Sequence, residues 1–382
     1  MIKKLVIVVN SADFFISHRL AIAESARDAG WHVVIATGSD DGQVKLSKYG
    51  LEHRNILLPR GKKSLWMEVK SLFSIFRLLR SESGAVFHFV TIKPVLYGGI
   101  ALHFYQAAGA VFAISGLGSM FSSDVLASRL ARPLIRVMYK IALHHKRKVV
   151  VFQNELDQKV VSELCNLATN DVLLVNGSGV NLLEYSASPV ERDDTSNFTF
   201  VIACRLLKEK GVHETVSAVG KLYSRGLPVK LIIAGKPDSG NLASFTDADC
   251  ASFSELPFVE YVGFCADVNR LYNRSDVAVM PSYYGEGVPK SLIEAAACGL
   301  PIITTDLPGC RDTVIDGVSG ILVEPRSIES LEKAMFFMIE NPKVVELYGK
   351  ASRRLAIDKF SVDVVVAHHL DVYDSLIGEL HD

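Results

Sequence analysis

The sequence of 382 residues lacks the cysteine pattern of a disulfide framework or a metal finger. Its six cysteines include no C-x-x-C pair and no histidine partner at finger spacing, so free thiols in a reducing compartment are predicted. No secretory leader is expected either, because the first apolar run reaches only from Leu5 to Val9 before Asn10. These absences predict a protein of the cytoplasm.

Residues 94–123 contain no Lys, Arg, Asp or Glu, and a stretch of this length could cross a bilayer. Five glycines divide it, and residues 110–115 have the length of a buried strand. We therefore expect a helix, a strand and a glycine-rich loop there, with a membrane-spanning helix as the alternative.

The net charge of −1 hides an uneven distribution. Residues 1–185 carry 22 Lys and Arg against 14 Asp and Glu, whereas the remainder carries 19 against 28. A basic first half favours anionic lipid or phosphate as a partner. Nucleic acid is not expected as a partner, because the sequence has no dense basic stripe with interleaved aromatic residues.

Short apolar runs alternate with helical patterns along residues 4–115 and again along residues 198–304. The runs at residues 4–9, 32–37, 198–203 and 229–234 predict strands, and the pattern of residues 17–29 predicts a helix. This alternation predicts an α/β fold of two doubly wound, Rossmann-like parallel-sheet domains, with ligands at the carboxyl ends of the strands. A polar stretch separates the two series, so the domains are predicted at residues 1–185 and 196–355. Residues 356–382 are expected to form a C-terminal helix that packs back toward the first domain.

The most informative segment, residues 281–301, joins a strand, a glycine-bearing loop and a helix. Gly285 and Gly287 allow the loop backbone to approach a ligand closely. The helix start at Pro289 offers unpaired N–H groups and a dipole that suit a diphosphate. The segment therefore predicts a phosphate-binding loop.

Glu286 and Glu294 lie eight residues apart, one in this loop and the other just over one turn inside the helix. They can reach opposite ends of a nucleotide sugar, with Glu294 on the ribose and Glu286 on the sugar hydroxyls. The alternative is that Glu286 is a turn residue and Glu294 faces solvent. The apolar neighbours of Glu294 argue against it, since a lone buried carboxylate is costly.

A second element lies at residues 203–211, where Arg205 ends a strand and Lys210 precedes a helix start. Both cations can converge on one diphosphate. The alternative is that Arg205 and Lys210 belong to a solvated loop.

Arg205 and Lys210, followed by Glu286 and Glu294 at E-x7-E spacing, resemble family 4 of the retaining glycosyltransferases, whose GT-B fold has two domains facing a central cleft. The resemblance implies that Arg205, Lys210 and Glu286 act on the donor diphosphate and sugar. Neutralising a departing diphosphate is what glycosyl transfer without a metal requires. The implied donor-binding set comprises Glu294, Gly287, Val288, Pro289, Lys290, Ser291 and, in the segment that reads the base, Phe264.

The first half is similar to a narrower bacterial subgroup, the N-acetylhexosaminyl transferases of O-antigen and N-linked glycan assembly. The matching segments are residues 14–19, 87–94, 114–119 and 176–180. The resemblance implies a UDP-activated N-acetylated sugar as donor and a polyprenyl-diphosphate-linked sugar as acceptor. The first domain then faces the acceptor and the membrane, and the second binds the nucleotide sugar.

The sequence departs from the family where a histidine usually ends the strand before the Gly-x-Gly loop, because Ser115 stands there. His18 and His88 are candidates to take over the role of that histidine, which in the family contacts the donor sugar. The alternative for each is a structural role. Lys93 either faces the acceptor diphosphate or is an exposed lysine, and Gly116 belongs to a loop that can admit phosphate. These five residues are the candidates for acceptor or phosphate binding.

Residues 118–148 carry seven cations against the single acid Asp124, interleaved with leucine, isoleucine and methionine. This pattern is typical of a basic amphipathic helix on anionic lipid, where each cation contributes on the order of 1 kcal/mol. The alternative is an ordinary surface helix. The predicted membrane-docking residues are Arg129, Arg132, Arg136 and Lys140.

The resemblance thus predicts a retaining transferase that moves an N-acetylhexosamine from a UDP-sugar to a polyprenyl-diphosphate-linked saccharide of a bacterial surface polysaccharide. It is expected on the inner face of the cytoplasmic membrane as a peripheral protein. No metal or other cofactor is expected, and the D-x-D pattern of Asp247 and Asp249 is interpreted as a chance match. The alternatives are a GT-B-fold sugar-nucleotide epimerase and a non-catalytic nucleotide-sugar-binding protein.

Overall fold

A computed structural model describes residues 3–38, 41–59, 65–117, 126–187, 197–238, 240–241 and 243–378, without the side chains of residue 65 and residues 126–131. The chain divides into two compact units. Unit 1 comprises Met1–Ser178 and Asp363–Asp382, and unit 2 comprises Gly179–Val362. The sequence pattern places the corresponding limits at residues 185, 196 and 356.

Within the described residues, the unit 1 sheet has seven parallel strands in the order β3-β2-β1-β4-β5-β6-β7. The strands are β1 Lys4–Val9, β2 His32–Thr37, β3 Glu52–Asn55, β4 Val86–Val90, β5 Gly109–Ile114, β6 Lys148–Phe152 and β7 Val172–Leu174. The helices that precede unit 2 are α1 Ala12–His18, α2 Leu20–Asp28, α3 Gly42–Ser47, α4 Leu65–Ser81, α5 Ile92–Leu102, α6 Leu126–Ala142 and α7 Glu155–Cys165. The central strands are almost wholly buried, as expected of parallel strands rich in valine, isoleucine and phenylalanine.

Within the described residues, the unit 2 sheet has six parallel strands in the order β10-β9-β8-β11-β12-β13. The strands are β8 Phe198–Ala203, β9 Val229–Ala234, β10 Val259–Gly263, β11 Val277–Met280, β12 Ile302–Thr305 and β13 Gly320–Val323. The helices are α8 Val212–Ser224, α9 Asp247–Ser254, α10 Val268–Asn273, α11 Lys290–Ala297, α12 Ile328–Glu340 and α13 Pro342–Phe360. The two sheets confirm the predicted α/β fold class with two parallel-sheet domains.

Helices cover both faces of the unit 1 sheet. On one face, α4, α5 and α6 pack against a core that includes Phe87, Phe89 and Phe112. On the other face, α1, α2 and the last helix of the chain, α14 (Val362–Gly378), enclose the opposite side chains of β1 and β4. The central strands β1, β4 and β5 therefore bury both of their faces, which explains their continuous apolar sequences.

The last helix, α14, follows unit 2 in the chain but contributes to the core of unit 1. Tyr373 is fully buried, its hydroxyl lies 2.7 Å from His88 Nδ1, and its ring contacts Trp31 with centroids 5.7 Å apart. Leu376 packs so closely on β5 that a Cβ at Gly109 would lie 2.8 Å from its own. The core of unit 1 is therefore completed by the end of the chain.

The helical pattern of residues 17–29 predicts one helix, but the structure has two. Ser11 caps α1 by accepting a hydrogen bond from the Phe14 N–H, so helical structure begins earlier than predicted. At Arg19 the backbone leaves the helical region (φ −136°, ψ −5°), and the Arg19 guanidinium donates to His18 O at 2.8 Å. The break between α1 and α2 is thus fixed by an arginine that hydrophobic periodicity does not identify.

The uncharged stretch of residues 94–123 contains most of α5 and all of β5, as expected of a helix followed by a strand. Residues 118–123 of this stretch lie outside the described part of the chain. Among the helices that are described, none is both long and apolar enough to cross a membrane.

A polar cluster is buried between β4 and α14. His88, His369 and Arg19 are each at most 3% exposed and surround Tyr373. Burial, with the charge of Arg19, lowers the pKa of His369 to about 3. Burial also lowers the pKa of His88 well below its usual value, with contributions from His369 and Arg19. Both imidazoles are therefore neutral at neutral pH.

Tyr373→Ala should lower the free energy of unfolding by about 3–5 kcal/mol, because it leaves a cavity the size of an aromatic side chain in a packed core. Tyr223→Ala is the matched control, at a tyrosine that is 43% exposed, and should cost less than half as much. Urea denaturation followed by circular dichroism measures both changes. Equal losses would show that α14 is not part of the core.

The buried histidines should make unit 1 sensitive to acid. A pKa that is lower in the folded than in the unfolded state gives stability that is complete above the unfolded value and is lost as pH falls toward the folded value. Between about pH 7.5 and about pH 5, wild type should therefore lose roughly 2 kcal/mol more stability than His369→Phe. Urea denaturation at the two pH values measures the difference, and parallel losses would contradict a neutral, buried His369.

Candidate active site

Three strand ends of unit 2 lie at one edge of its sheet. β8, β11 and β12 are neighbours, and each is followed by a segment that carries a predicted site residue or contacts one. Because the carboxyl ends of parallel strands form the ligand-binding side of doubly wound sheets, these segments can share one ligand. We call them the unit 2 edge: residues 204–211, 281–289 and 306–309.

Lys210 and Glu286 form a nearly buried ion pair at the unit 2 edge. They are 76 residues apart in the chain, and their side chains are 13% and 14% exposed. The Ser282 hydroxyl donates to the other carboxylate oxygen of Glu286 at 2.7 Å. The pair joins the turn after β8 to the loop after β11, the two segments that the sequence identifies independently.

The carboxylate of Glu286 stabilises the charge of Lys210. Burial by itself would lower the pKa of Lys210, but attraction to Glu286 and their hydrogen bond together raise it above its usual value. Lys210 is therefore a fixed positive charge in surroundings that contain little water. A charge in such surroundings acts more strongly on an anion than it would in bulk water.

Hydrogen bonds to the backbone hold the same segments together. The Tyr283 N–H donates to Glu209 O at 2.9 Å, and the Ser282 hydroxyl oxygen lies 3.1 Å from the same carbonyl oxygen. The Thr305 hydroxyl, at the end of β12, donates to Ser282 O. Ser282 and Thr305 were not predicted, because a single hydroxyl residue at a strand end has no distinctive spacing.

Two glycines at positive φ permit this close packing. At Gly211 (φ 76°), a Cβ would lie 2.5 Å from Pro281 O. At Gly309 (φ 83°), a Cβ would overlap Gly287 O. Gly211 thus allows the tight turn that carries Lys210. Gly309 packs directly against the backbone of the loop that carries Glu286. Gly309 was not predicted, although the Pro308-Gly309 pair is a turn signal.

The start of α11 is free of a side-chain cap. Its first residue, Lys290, follows Pro289, whose side chain makes no capping hydrogen bond. The first N–H groups therefore combine with the helix dipole to give a partial positive charge. Val288 is buried beneath this turn, and the Tyr272 hydroxyl donates to Ser291 O at 2.9 Å. These features suit an anion.

Glu294 lies on α11 and is 9% exposed, so the alternative that it faces solvent is wrong. Its carboxylate is 3.4 Å from the Lys290 ammonium and is hydrogen-bonded by the Tyr185 hydroxyl. Burial raises the pKa of Glu294, and the Lys290 charge opposes this shift. Tyr185 was not predicted, because it lies in a separate segment without a motif of its own.

Arg205 and Lys210 have different partners in this structure. The Arg205 side chain is 64% exposed and pairs with Asp238, with Nη1 and Oδ2 2.9 Å apart. For both predicted cations to reach one diphosphate, Arg205 must leave Asp238.

Phe264, the residue predicted to lie in the segment that reads the base, is 69% exposed. The Lys236 ammonium lies 5.1 Å from the centre of its ring.

The two histidine candidates in unit 1 are placed differently. His18 is half-buried at the end of α1, where its ring stacks on Phe14 with centroids 4.2 Å apart. His88 has no exposed surface, and its Nδ1 lies against the Tyr373 hydroxyl. The burial of His88 favours its structural alternative.

The remaining acceptor candidates lie at the ends of β4 and β5. Lys93, in the first turn of α5, donates to Glu68 at 2.7 Å. Ser115 and Gly116 directly follow β5, which pairs with β4. Thr91, between β4 and α5, has a φ of 73°, a strained conformation that is enriched at functional sites. Neighbouring residue types do not indicate such a φ, so Thr91 was not predicted.

The predicted membrane-docking segment corresponds in part to α6. Arg136 and Lys140 are exposed on this helix, and Arg132 is half-buried. The side chain of Arg129 and residues 118–125 lie outside the described residues. The described cations are thus on the outer side of unit 1.

Asp249, the second acid of the D-x-D pattern, has a local structural role. Its carboxylate accepts the Thr246 N–H at 2.8 Å, and the Thr246 hydroxyl accepts the Asp249 N–H at 3.1 Å, which forms a capping box at the start of α9. In the part of the chain that the structure describes, no three His, Cys, Asp or Glu side chains are grouped to hold a metal ion.

Two doubly wound sheets, with a fixed cation and an uncapped helix start at the strand ends of the second, are typical of the GT-B class of glycosyltransferases. The chain belongs to the glycosyltransferases by its sequence as well. Residues 184–355 match the family model described as "Glycosyl transferases group 1". Residues 4–154 match the model described as "Glycosyl transferase 4-like". The predicted family is confirmed.

Curated relatives align with most of the chain. CapM of Staphylococcus aureus, a capsular polysaccharide biosynthesis glycosyltransferase, is 25% identical over 89% of this chain and 90% of its own. A second relative, from Campylobacter jejuni, is named N,N'-diacetylbacillosaminyl-diphospho-undecaprenol alpha-1,3-N-acetylgalactosaminyltransferase. It is 22% identical over 94% of this chain and 95% of its own. A third, from Escherichia coli, is named UDP-Gal:alpha-D-GlcNAc-diphosphoundecaprenol alpha-1,3-galactosyltransferase. It is 23% identical over 82% of this chain and 81% of its own.

Solved structures share the fold. Anabaena HepE in complex with UDP has a TM-score of 0.77 and 16% identity, covering 98% of this chain and 100% of that chain. Sucrose-phosphate synthase from Thermosynechococcus elongatus has a TM-score of 0.82 and 17% identity, covering 99% and 100%. At these identities the likeness concerns the fold, and it confirms the prediction of GT-B.

Gly309→Ala should lower the free energy of unfolding by more than about 2 kcal/mol, because the new methyl group both strains a positive φ and overlaps backbone. Gly285→Ala is the matched control in the same region: its added Cβ meets no atom within 4 Å, so stability should be unchanged. Urea denaturation measures both variants. Similar stabilities would show that the loop after β12 does not support the loop of Glu286.

Proposed function

We propose that this glycosyltransferase moves an N-acetylhexosamine from a UDP-sugar to a polyprenyl-diphosphate-linked saccharide, with retention of configuration and without a metal ion. The saccharide is part of a bacterial surface polysaccharide. The observation that carries the proposal is the buried Lys210–Glu286 pair beside the uncapped start of α11. Together they provide a cation and a set of N–H groups for a leaving diphosphate.

The main task of the site is to stabilise charge on the leaving group. As the bond from the sugar to the diphosphate breaks, negative charge collects on the phosphate oxygens. Lys210 and the first N–H groups of α11 are fixed before the reaction, so they stabilise that charge without reorganising. Arg205 adds a second positive charge when it exchanges Asp238 for the diphosphate. These groups supply the neutralisation that a metal ion would otherwise provide.

The acceptor hydroxyl attacks the sugar carbon from the face that the diphosphate leaves. The hydroxyl proton passes to the leaving phosphate oxygen, so one C–O bond replaces another on the same face and the configuration is retained. No carboxylate nucleophile is required. Glu286, once the diphosphate has taken over Lys210, accepts hydrogen bonds from the hydroxyls of the donor sugar.

The nucleotide is assigned to α11 and to the segment that follows β10. Glu294 accepts the ribose hydroxyls, with Lys290 and Tyr185 orienting its carboxylate. The exposed ring of Phe264 offers an apolar surface beside the base. The UDP-Gal in the name of the E. coli relative and the UDP in the HepE structure support a uridine nucleotide. The name of the C. jejuni relative supports an N-acetylhexosamine.

The acceptor is assigned to unit 1. Two relatives are named for sugars on diphospho-undecaprenol, which supports a polyprenyl-diphosphate acceptor. Such an acceptor places the enzyme on the inner face of the cytoplasmic membrane as a peripheral protein. The proposed acceptor contacts are His18, Lys93, Ser115 and Gly116, and the proposed membrane contacts are Arg129, Arg132, Arg136 and Lys140.

Lys210→Met should lower the transfer rate by at least about 100-fold, since one preorganised donor to a developing anion contributes about that much. Lys208→Met is the matched control, because Lys208 is an exposed lysine of the same turn. The assay follows label from UDP-GlcNAc and UDP-GalNAc to a synthetic polyprenyl-diphosphate sugar in the presence of EDTA. Circular dichroism checks that each variant is folded.

Several outcomes of this assay would overturn parts of the proposal. Interconversion of the two free nucleotide sugars without acceptor would indicate an epimerase, and UDP binding without turnover of either donor would indicate a non-catalytic protein. An inverted anomeric configuration in the product, read by NMR, would exclude retention. Activity only after a divalent cation is added back would exclude a metal-independent reaction.

A further inference from the structure

The outward side of α4 is apolar and basic. Trp66, Val69 and Phe73 are 65%, 41% and 66% exposed, and Lys70 and Arg77 are exposed between and beside them. The three apolar residues lie at intervals of three and four, so they form one stripe along the helix. Two aromatic rings exposed on one stripe leave a large apolar surface in contact with water.

The acid of α4 is not part of this stripe. Glu68 is half-buried and accepts hydrogen bonds from Lys93 and from the Tyr97 hydroxyl, both at 2.7 Å. Its charge is therefore balanced inside unit 1. The cations on the outward side of α4, Lys70 and Arg77, are left in excess.

The described part of α6 has an outward side of the same chemistry. Leu134, Val137 and Ile141 are 64%, 53% and 44% exposed, again at intervals of three and four. Arg136 and Lys140 are exposed beside them. The sequence of α6 contains no acid.

The two stripes lie on the outward side of the same helical layer. α4, α5 and α6 pack on one face of the unit 1 sheet, and α5 contacts both of the others. Just after α5, Phe104 is 69% exposed and lies 5.4 Å from Phe76 of α4, centroid to centroid. His103 beside it contacts Ile141 O of α6 at 2.8 Å. The α4 stripe, Phe104 and the α6 stripe thus all belong to the outward side of this helical layer, which we call the aromatic–basic face.

We propose that the aromatic–basic face docks on an anionic bilayer, with Trp66 and Phe73 of α4 entering the boundary between headgroups and acyl chains. This inference deepens the proposed function and rests on it, because a polyprenyl-linked acceptor resides in the membrane. It adds α4 to the contact that the sequence predicts for α6 alone. Contact through two separate helices fixes the orientation of unit 1 on the bilayer, whereas one helix would leave it free to rotate about the helix axis.

The composition of the face favours a lipid surface over a protein partner. Tryptophan is enriched at the membrane–water interface, where an amphipathic ring is favoured over either bulk phase. Lysine and arginine beside the stripes complement the negative potential of anionic lipid. Lysine is depleted from protein–protein interfaces, so its presence beside both stripes argues against a protein partner.

The chain offers a direct test because it contains only two tryptophans. Trp31 is 2% exposed in the core of unit 1, so Trp66 alone can respond to lipid. Vesicles of equal parts phosphatidylglycerol and phosphatidylcholine should shift the tryptophan emission to the blue, and brominated acyl chains should quench it. Trp66→Phe should remove both changes. A Trp66→Phe/Phe337→Trp protein is the matched control, with its tryptophan exposed on α12 of unit 2, and should show neither.

The double variant Trp66→Ala/Phe73→Ala should bind these vesicles at least about tenfold more weakly than wild type. The reason is that the variant lacks the two large apolar side chains that wild type transfers from water into the bilayer. Sedimentation with vesicles measures the binding. Phosphatidylcholine alone should bind wild type weakly, since anionic headgroups are missing. Transfer to a short-chain, detergent-solubilised acceptor should be unchanged by the double variant.

The outcomes separate this inference from the proposed function. Vesicle binding without a Trp66 shift, or without loss in the double variant, would overturn docking through α4 and leave the transferase proposal intact. No vesicle binding by wild type would overturn the inference as well. Failure of wild type to transfer to any acceptor, with Trp66 still entering the bilayer, would overturn the proposed function alone.

Discussion

The organisation of the unit 2 edge depends on the buried ion pair between Lys210 and Glu286. Taking two charges out of water costs several kcal/mol, so such a pair persists only with close geometry and further hydrogen bonds. Ser282 supplies one of these bonds, and the packing of Gly211 against Pro281 brings the two segments within reach. β8 and β11 are neighbours in the sheet, and this strand order makes the contact possible. In this structure the Glu286 carboxylate pairs with the lysine that we assign to the diphosphate, so the proposed donor site requires Lys210 to exchange partners.

Unit 1 uses its two helical layers for different purposes. The layer with α14 is closed: Tyr373 fills the core, and burial keeps the neighbouring histidines neutral. The layer of α4, α5 and α6 is closed only toward the sheet, because its outward side keeps exposed aromatic and basic residues. A parallel sheet must be covered on both faces, but only the inner side of each covering helix is constrained to be apolar. The outer side is available for a surface such as a membrane.

The sequence alone was sufficient for most of the secondary structure. Residues 4–9, 32–37, 198–203 and 229–234 are predicted as strands and observed with the same limits, because strands buried on both faces are continuous apolar runs between polar turns. It was insufficient for the break at Arg19. The helix ends there because Arg19 adopts a non-helical backbone conformation and its side chain donates a hydrogen bond to His18 O. The hydrophobic pattern of the sequence carries no information about either feature.

For the site, the sequence determined which segments carry chemistry. Two local patterns identify these segments: the spacing of Glu286 and Glu294, and the position of Lys210 before a helix start. Both patterns involve residues close together in the chain, so they can be recognised from the sequence alone. The pairing of Arg205 with Asp238, the contact of Glu294 with Tyr185 and the packing of Gly309 under the Glu286 loop were decided only by the tertiary structure. Each of these contacts joins two different segments, and which segments meet depends on the order of strands in the sheet. That order is set by packing of the whole unit, because parallel neighbours are joined by crossovers and need not be adjacent in the chain.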